Sequence, residues 1–182
     1  MGRLVILDRD GVINEDSDAY IKSPAEWVPL PGSLEAIARL TATGWRVVVA
    51  TNQSGIARGL FDLETLGRIH ARMHRAVAEA GGRIEAVFFC PHGPDDGCRC
   101  RKPAPGLFEE IAARYRTTLE GVPAIGDSAR DLEAARAAGA RPILVRTGKG
   151  RRTEAAGGPA LEGVPVYDDL AAAVEALLRE AA

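Results

Sequence analysis

The sequence predicts an α/β fold: a doubly wound parallel sheet with helices on both faces. Two observations carry that prediction. Five short apolar runs, at 4–7, 47–50, 86–89, 122–125 and 142–145, are continuous rather than alternating, as strands covered on both faces are. Apolar stripes at helical spacing lie between them, so strand and helix alternate along the chain. The chain has 182 residues, 46% hydrophobic and 26% charged, which suits one domain, residues 1–182, with a sizeable core.

The elements follow in order. The first strand, Leu4 to Leu7, precedes a helix marked by Leu34, Ile37, Ala38 and Leu40. The strand at 47–50 precedes a helix marked by Leu63, Leu66, Ile69, Met73 and Val77. After the strand at 86–89, Leu107, Phe108, Ile111 and Tyr115 form a third stripe. After the strand at 122–125, Leu132, Ala135 and Ala138 form a fourth. Gly44, Gly81 and Gly139 sit where helices stop. Residues 151–163 are rich in Gly and Arg and are expected to be a surface loop. A short run at 164–167 and a helix at 170–178 close the chain, and Trp27 and Trp45 are expected at the core margin.

Composition excludes several classes. The formal net charge is -2, so nothing global draws the chain to nucleic acid or anionic membrane. No apolar run approaches the length of a membrane span. The N-terminus runs into a strand without the apolar stretch of a signal peptide, so a cytoplasmic location is expected. Three cysteines, all between residues 90 and 100, make a poor disulfide framework.

Open parallel sheets bind ligands beyond the carboxyl ends of their strands. There the first strand delivers Asp8-Arg9-Asp10-Gly11, and the second Thr51-Asn52-Gln53-Ser54-Gly55. Arg101-Lys102-Pro103 follows the third, and Gly126-Asp127-Ser128 ends the fourth, with Asp131 four residues on. Two carboxylates two residues apart are weak evidence alone. Four such motifs, in order and each at a strand end, point to one site. Crowded carboxylates resist ionising unless a cation sits among them, and few carboxylates with open positions suit Mg²⁺. Phosphoryl transfer needs a nucleophile, an acid and base, and donors for the equatorial oxygens. An Asp can be that nucleophile, a second acid can protonate the leaving oxygen, and Lys102 and Thr51 can neutralise and orient the phosphoryl group.

This set resembles the haloacid dehalogenase superfamily of phosphotransferases over nearly the whole chain. The resemblance implies a Rossmann-like fold, here without a large cap domain, because the inserts after the first and third strands are short. It implies Asp8 as nucleophile and Asp10 as general acid and base. It implies Mg²⁺ on the Asp8 carboxylate, the Asp10 carbonyl and Asp127, with Asp131 orienting Lys102 or a metal-bound water.

Cys90, His92, Cys98 and Cys100 form a C-x-H-x5-C-x-C pattern. Four such ligands suit a closed tetrahedral Zn²⁺ site, structural rather than catalytic, stapling the loop that ends at Arg101 and Lys102. Buried thiols or a Cys98–Cys100 disulfide are the alternatives. Within the superfamily such a loop resembles two groups, the heptose bisphosphate phosphatases and the histidinol-phosphate phosphatases. The run Ser54-Gly55-Ile56-Ala57-Arg58-Gly59 resembles the heptose group. That similarity implies substrate contacts from Tyr20, Asn52, Gln53, Ser54 and Arg101, and a small sugar phosphate as substrate; a monomer is expected. Ser128 departs from the Lys that some heptose enzymes carry there.

Other features read plainly. His70 and His74 are four apart on a helix without an HExxH pattern, and are expected to be solvated or to pack between helices. Arg146, Lys149, Arg151 and Arg152 are either a solvated loop or an attractor for a doubly phosphorylated substrate. Three functions stand: a heptose bisphosphate phosphatase removing the 7-phosphate, a histidinol-phosphate phosphatase, and a catalytically silent zinc-containing binding module. The filled catalytic positions argue against the third.

Overall fold

A computed structural model describes residues 2–182. Its strands are β1 (Leu4–Leu7), β2 (Arg46–Asn52), β3 (Ala86–Cys90), β4 (Pro123–Gly126), β5 (Arg141–Val145) and β6 (Val166–Tyr167). Its α-helices are α1 (Ser33–Ala42), α2 (Leu63–Glu79), α3 (Gly106–Tyr115), α4 (Ala129–Ala137), α5 (Gly150–Ala156) and α6 (Leu170–Ala181). The strands make one sheet in the order β3-β2-β1-β4-β5-β6, with every pair parallel.

Continuous apolar strands are what this layering requires. Val5, Leu7, Val47 and Val49 pack on one face with Ile37, Leu40, Ile69, Met73, Val174 and Leu177 of α1, α2 and α6. Ile6, Val48, Ala50 and Ala124 pack on the other with Leu107, Phe108, Ile111, Ala134 and Ala135 of α3 and α4. Alternate residues of one strand thus serve opposite faces. Each fully buried aliphatic side chain contributes about 1.5–3 kcal/mol. Trp27, expected at the core margin, is instead 1% exposed within the first face, whereas Trp45 is only partly buried.

The helix stops fall as expected. Gly44, Gly81 and Gly139 follow α1, α2 and α4 with φ of 80°, 89° and 81°, and open space surrounds the position of a Cβ at each. Backbone conformation, not crowding, is the reason for glycine there.

Residues 151–163 correct the sequence reading. They are not a loop: α5 covers most of the first half and a 3-10 turn, Pro159–Leu161, the second. Only Gly150 of α5 is buried, so the helix has no apolar stripe by which to be read. Polar tethers hold it. The Thr153 hydroxyl donates to the Asp127 carbonyl at 2.8 Å, and Glu154 pairs with Arg146 at 3.0 Å. Ala160 packs with Leu132 and Leu144 beneath the turn.

Asp8 follows β1 and Asp127 follows β4, neighbours between which the chain order reverses. That crevice is where such sheets bind ligands. No helix among the described residues is long and apolar enough to cross a membrane. Truncating a core residue remote from the crevice should act on stability alone. Leu40→Ala should cost about 2–5 kcal/mol in urea unfolding while kcat is unchanged.

Candidate active site

The site begins with the ladder. The Asp8 amide donates to the Ile125 carbonyl at 2.9 Å, carrying the β1–β4 pairing one residue past the strand. Asp8 is thereby fixed beside the end of β4. Carboxylate oxygens of Asp8, Asp127 and Asp131 all lie within 4.8 Å of one another. The turn after Asp8 lets Asp127 approach closely. Gly11 has φ 83°, and a Cβ on it would lie 2.0 Å from Asp127 Oδ2. Gly148 closes the other side, where a Cβ would lie 2.3 Å from the same oxygen.

Lys102 is the counterweight. It is 2% exposed, and its ammonium lies 2.7 Å from Asp131 Oδ1 and 3.2 Å from Asp8 Oδ1. It also donates to the Ala50 carbonyl at 2.8 Å. Burial works against the ammonium, but Asp131 and Asp8 raise its pKa well above the usual value. Asp131 is well satisfied. Its Oδ2 accepts from the amides of Asp127 and Ser128 and from the Ser128 hydroxyl, capping α4. Lys102 and these donors hold its pKa below the usual range despite burial.

Asp8 and Asp127 go the other way. Burial, then the Asp131 charge, push Asp8 up to about 7. Burial, then Asp131 and Asp8, push Asp127 up to about 9. A divalent cation would relieve both, and an oxygen-only donor set suits a hard ion such as Mg²⁺.

The sequence-predicted residues converge. Asp8, Asp10, Tyr20, Thr51, Asn52, Gln53, Ser54, Arg101, Lys102, Asp127 and Asp131 all line one cavity of about 340 Å³. Some have work inside the protein. Asn52 binds the Lys102 backbone at both ends, its Oδ1 accepting from the amide at 3.0 Å and its Nδ2 donating to the carbonyl at 3.1 Å. That pairing ties the end of β2 to the loop carrying the lysine. Gln53 Nε2 donates to Asp10 Oδ2 at 3.1 Å and to the Thr51 hydroxyl at 3.0 Å.

Sequence reasoning missed other lining residues. Arg58 and Arg130 reach the cavity, and Arg58 lies 5.6 Å from the centre of the Tyr20 ring. Arg58 was within reach, being part of the Ser54 to Gly59 run, whereas Arg130 had no signal beyond its place beside Asp131. The basic cluster of the sequence divides. Lys149 reaches the cavity and lies 3.5 Å from Asp16, while Arg146 turns to Glu154 and Asp168. Arg151 and Arg152 line a neighbouring cavity of about 570 Å³. Of the two helical histidines, His70 is buried against Arg9 and His74 is exposed.

The second cluster lies on the loop after β3. Cys90 Sγ is 3.5 Å from His92 Nδ1, 3.6 Å from Cys98 Sγ and 2.8 Å from Cys100 Sγ. His92 Nδ1 is 3.3 Å from Cys100 Sγ. All three cysteines are free, so the disulfide alternative falls. Burial and the Cys100 thiol push the Cys90 pKa up to about 12. Four converging S and N donors are compatible with a closed tetrahedral Zn²⁺ site.

Known proteins are similar to this chain in sequence and fold. A HAD-hydrolase-like family model matches residues 99–173. A D-glycero-beta-D-manno-heptose-1,7-bisphosphate 7-phosphatase of Bordetella bronchiseptica is 64% identical over 98% of this chain and 99% of its own. One of Pseudomonas aeruginosa, with the same name, is 58% identical over 97% and 98%. The crystal structure of D,D-heptose 1,7-bisphosphate phosphatase from B. bronchiseptica, complexed with magnesium and phosphate, superposes with a TM-score of 0.95. It is 64% identical and covers 98% of this chain and 99% of that one.

Two outcomes follow from the electrostatics. Asp8 and Asp127 have folded-state pKa values near 7 and 9, above the unfolded value of 3.8. Their stabilising contribution is present below the unfolded value and is lost as pH rises through the folded ones. Mg²⁺ should therefore raise Tm more at about pH 8.5 than at about pH 5.5, because at the lower pH protons compete for the same carboxylates. Equal gains would contradict this. Purified protein should also carry a single tightly held zinc. Cys100→Ser should release it and lower both Tm and the protection of the 91–102 backbone against hydrogen exchange.

Proposed function

The chain belongs to the family of D-glycero-beta-D-manno-heptose-1,7-bisphosphate 7-phosphatases, and from that premise we propose that it hydrolyses the 7-phosphate of that bisphosphate through an aspartyl-phosphate on Asp8. The products are heptose 1-phosphate and inorganic phosphate, and the β anomer is the substrate. The Asp8 carboxylate, the Asp10 carbonyl and Asp127 would hold Mg²⁺. When bound, the ion neutralises phosphate charge and lowers the pKa of the carboxylates around it.

The residues then have distinct tasks. Asp8 attacks phosphorus as the bond to the sugar oxygen breaks, and Asp10 delivers a proton to that oxygen. Asp10 next takes a proton from a water that cleaves the acyl phosphate, which releases phosphate and restores Asp8. Lys102, buried 3.2 Å from Asp8, balances the charge that gathers there, and Asp131 holds the lysine in position. Thr51 donates to a phosphoryl oxygen.

The observation that carries the substrate reading is the charge at the rim. Arg58, Arg101 and Arg130 line the cavity, and none has a carboxylate within ion-pair distance among the described residues. Burial first, then the Arg130 charge, lower the pKa of Arg101. Such a rim suits a substrate with a second phosphate and disfavours histidinol phosphate, whose ammonium it would repel. Asp16 and Asp18 line the cavity as well, but Asp16 lies beside Lys149. We read the chain as a cytoplasmic monomer acting on this small molecule through a single phosphatase domain, with neither nucleic acid nor membrane as partner.

Phosphate release with Mg²⁺ tests the reading. The β-heptose bisphosphate should exceed histidinol phosphate and fructose 1,6-bisphosphate in kcat/KM by at least about 100-fold, roughly 2.7 kcal/mol. Preference for histidinol phosphate would keep the mechanism and discard the substrate. Asp8→Asn should abolish turnover with the fold and the zinc retained, and substantial residual turnover would remove Asp8 as nucleophile.

A further inference from the structure

Beside the proposed nucleophile lies a buried group that the mechanism above does not use. Arg9 stands between Asp8 and Asp10 and is 0% exposed. The turn that follows folds around its carbonyl, which accepts from the amides of Val12, Ile13 and Asn14 at 3.3, 2.8 and 3.3 Å. The side chain is thus turned into the protein. A buried guanidinium is strongly unfavourable unless it is paired, so its partners matter. Its Nε donates to Asp10 Oδ1 at 2.9 Å, and its NH2 group lies 2.8 Å from the same oxygen. Its NH1 group lies 3.2 Å from Nε2 of His70 on α2.

The two oxygens of Asp10 are therefore unequal. Oδ1 accepts from Arg9 Nε, lies 2.8 Å from the Arg9 NH2 group, which has no hydrogen-bond partner of its own, and also accepts from the Asn14 amide at 2.9 Å. Oδ2 takes a single donor, Gln53 Nε2. His70 has one role open to it. Burial, then the Arg9 charge, push its pKa down to about 3, so it is neutral and its Nε2 can accept from Arg9.

We propose that Arg9, held by His70, is a positioning residue that fixes Asp10 through Oδ1 and so presents Oδ2 as the one oxygen that exchanges protons with the substrate. This rests on the reading of Asp10 as acid and base. Oδ2–H passes its proton to the sugar oxygen as the O–P bond breaks and the Asp8–phosphorus bond forms. The same oxygen then removes a proton from the water that cleaves the acyl phosphate. Without the clamp the carboxyl group can rotate, and the donor leaves its line to the leaving oxygen.

Leaving-group dependence separates positioning from simple structural support. A sugar alkoxide needs a proton as it leaves, whereas 4-nitrophenolate does not. The measurement is kcat/KM, which reports the phosphorylation step, for the β-heptose bisphosphate and for 4-nitrophenyl phosphate. His70→Phe, His70→Gln and Arg9→Lys are compared with Asp10→Asn and the parent enzyme. We expect His70→Phe and Arg9→Lys to lose at least about tenfold on the sugar phosphate and less than about threefold on the nitrophenyl ester. His70→Gln, which keeps an acceptor, should recover most of the loss. Parallel loss on both substrates, or no loss, overturns the proposal. If one variant fails to fold by circular dichroism, the other decides. Leaving-group dependence in Asp10→Asn alone overturns the proposal and spares the acid–base reading; its absence there overturns both.

Discussion

The structure turns on the crowding of three carboxylates around one buried ammonium. Asp8, Asp127 and Asp131 converge at the carboxyl edge of the sheet, and Lys102 sits 2.7 Å from one and 3.2 Å from another. Like charges this close are unfavourable, and a single lysine cannot neutralise them all. Asp131 settles the lysine and ionises. Asp8 and Asp127 are left with raised pKa values of about 7 and 9. A stable protein could avoid this with apolar residues at no loss. Holding such a cluster makes sense where a cation and a phosphoryl group complete the charge balance.

Much of the rest of the chain serves to bring Lys102 to that point. It is not on a strand, so no ladder fixes it. Asn52 ties its backbone to the end of β2 through two hydrogen bonds. The Cys90, His92, Cys98 and Cys100 cluster gathers the preceding loop into a small closed unit. The Arg99 carbonyl then meets the start of α3, where a Cβ on Gly106 would lie 2.2 Å from it. A binding module would not need a lysine buried so exactingly, and this is the physical case for an enzyme.

The cavity divides its labour between the sheet edge and its rim. Tyr20 follows β1, Ser54 and Arg58 follow β2, Arg101 follows β3, and Arg130 lies in the first turn of α4 after β4. The connections can vary while the sheet edge beneath keeps its acids and lysine.

The sequence by itself determined the sheet and the acids at its edge. Short, β-branched apolar runs such as Val47 to Ala50 read as strands covered on both faces, and the helix stops at Gly44, Gly81 and Gly139 need a left-handed residue. The convergence of the candidate residues on one cavity was legible because strand ends and short motifs coincide. What the sequence could not carry was the pairing of distant groups. α5 was hidden because polar tethers to Asp127 and Arg146, rather than an apolar stripe, hold it. Asn52 read as a substrate contact and lines the cavity, but its tie to the backbone of a lysine fifty residues on had no sequence signal. His70 read as an ordinary helical histidine until α2 packed it onto Arg9. Local spacing encodes periodicity and turn chemistry. Which buried donor meets which acceptor depends on how the layers close, and that is decided only in three dimensions.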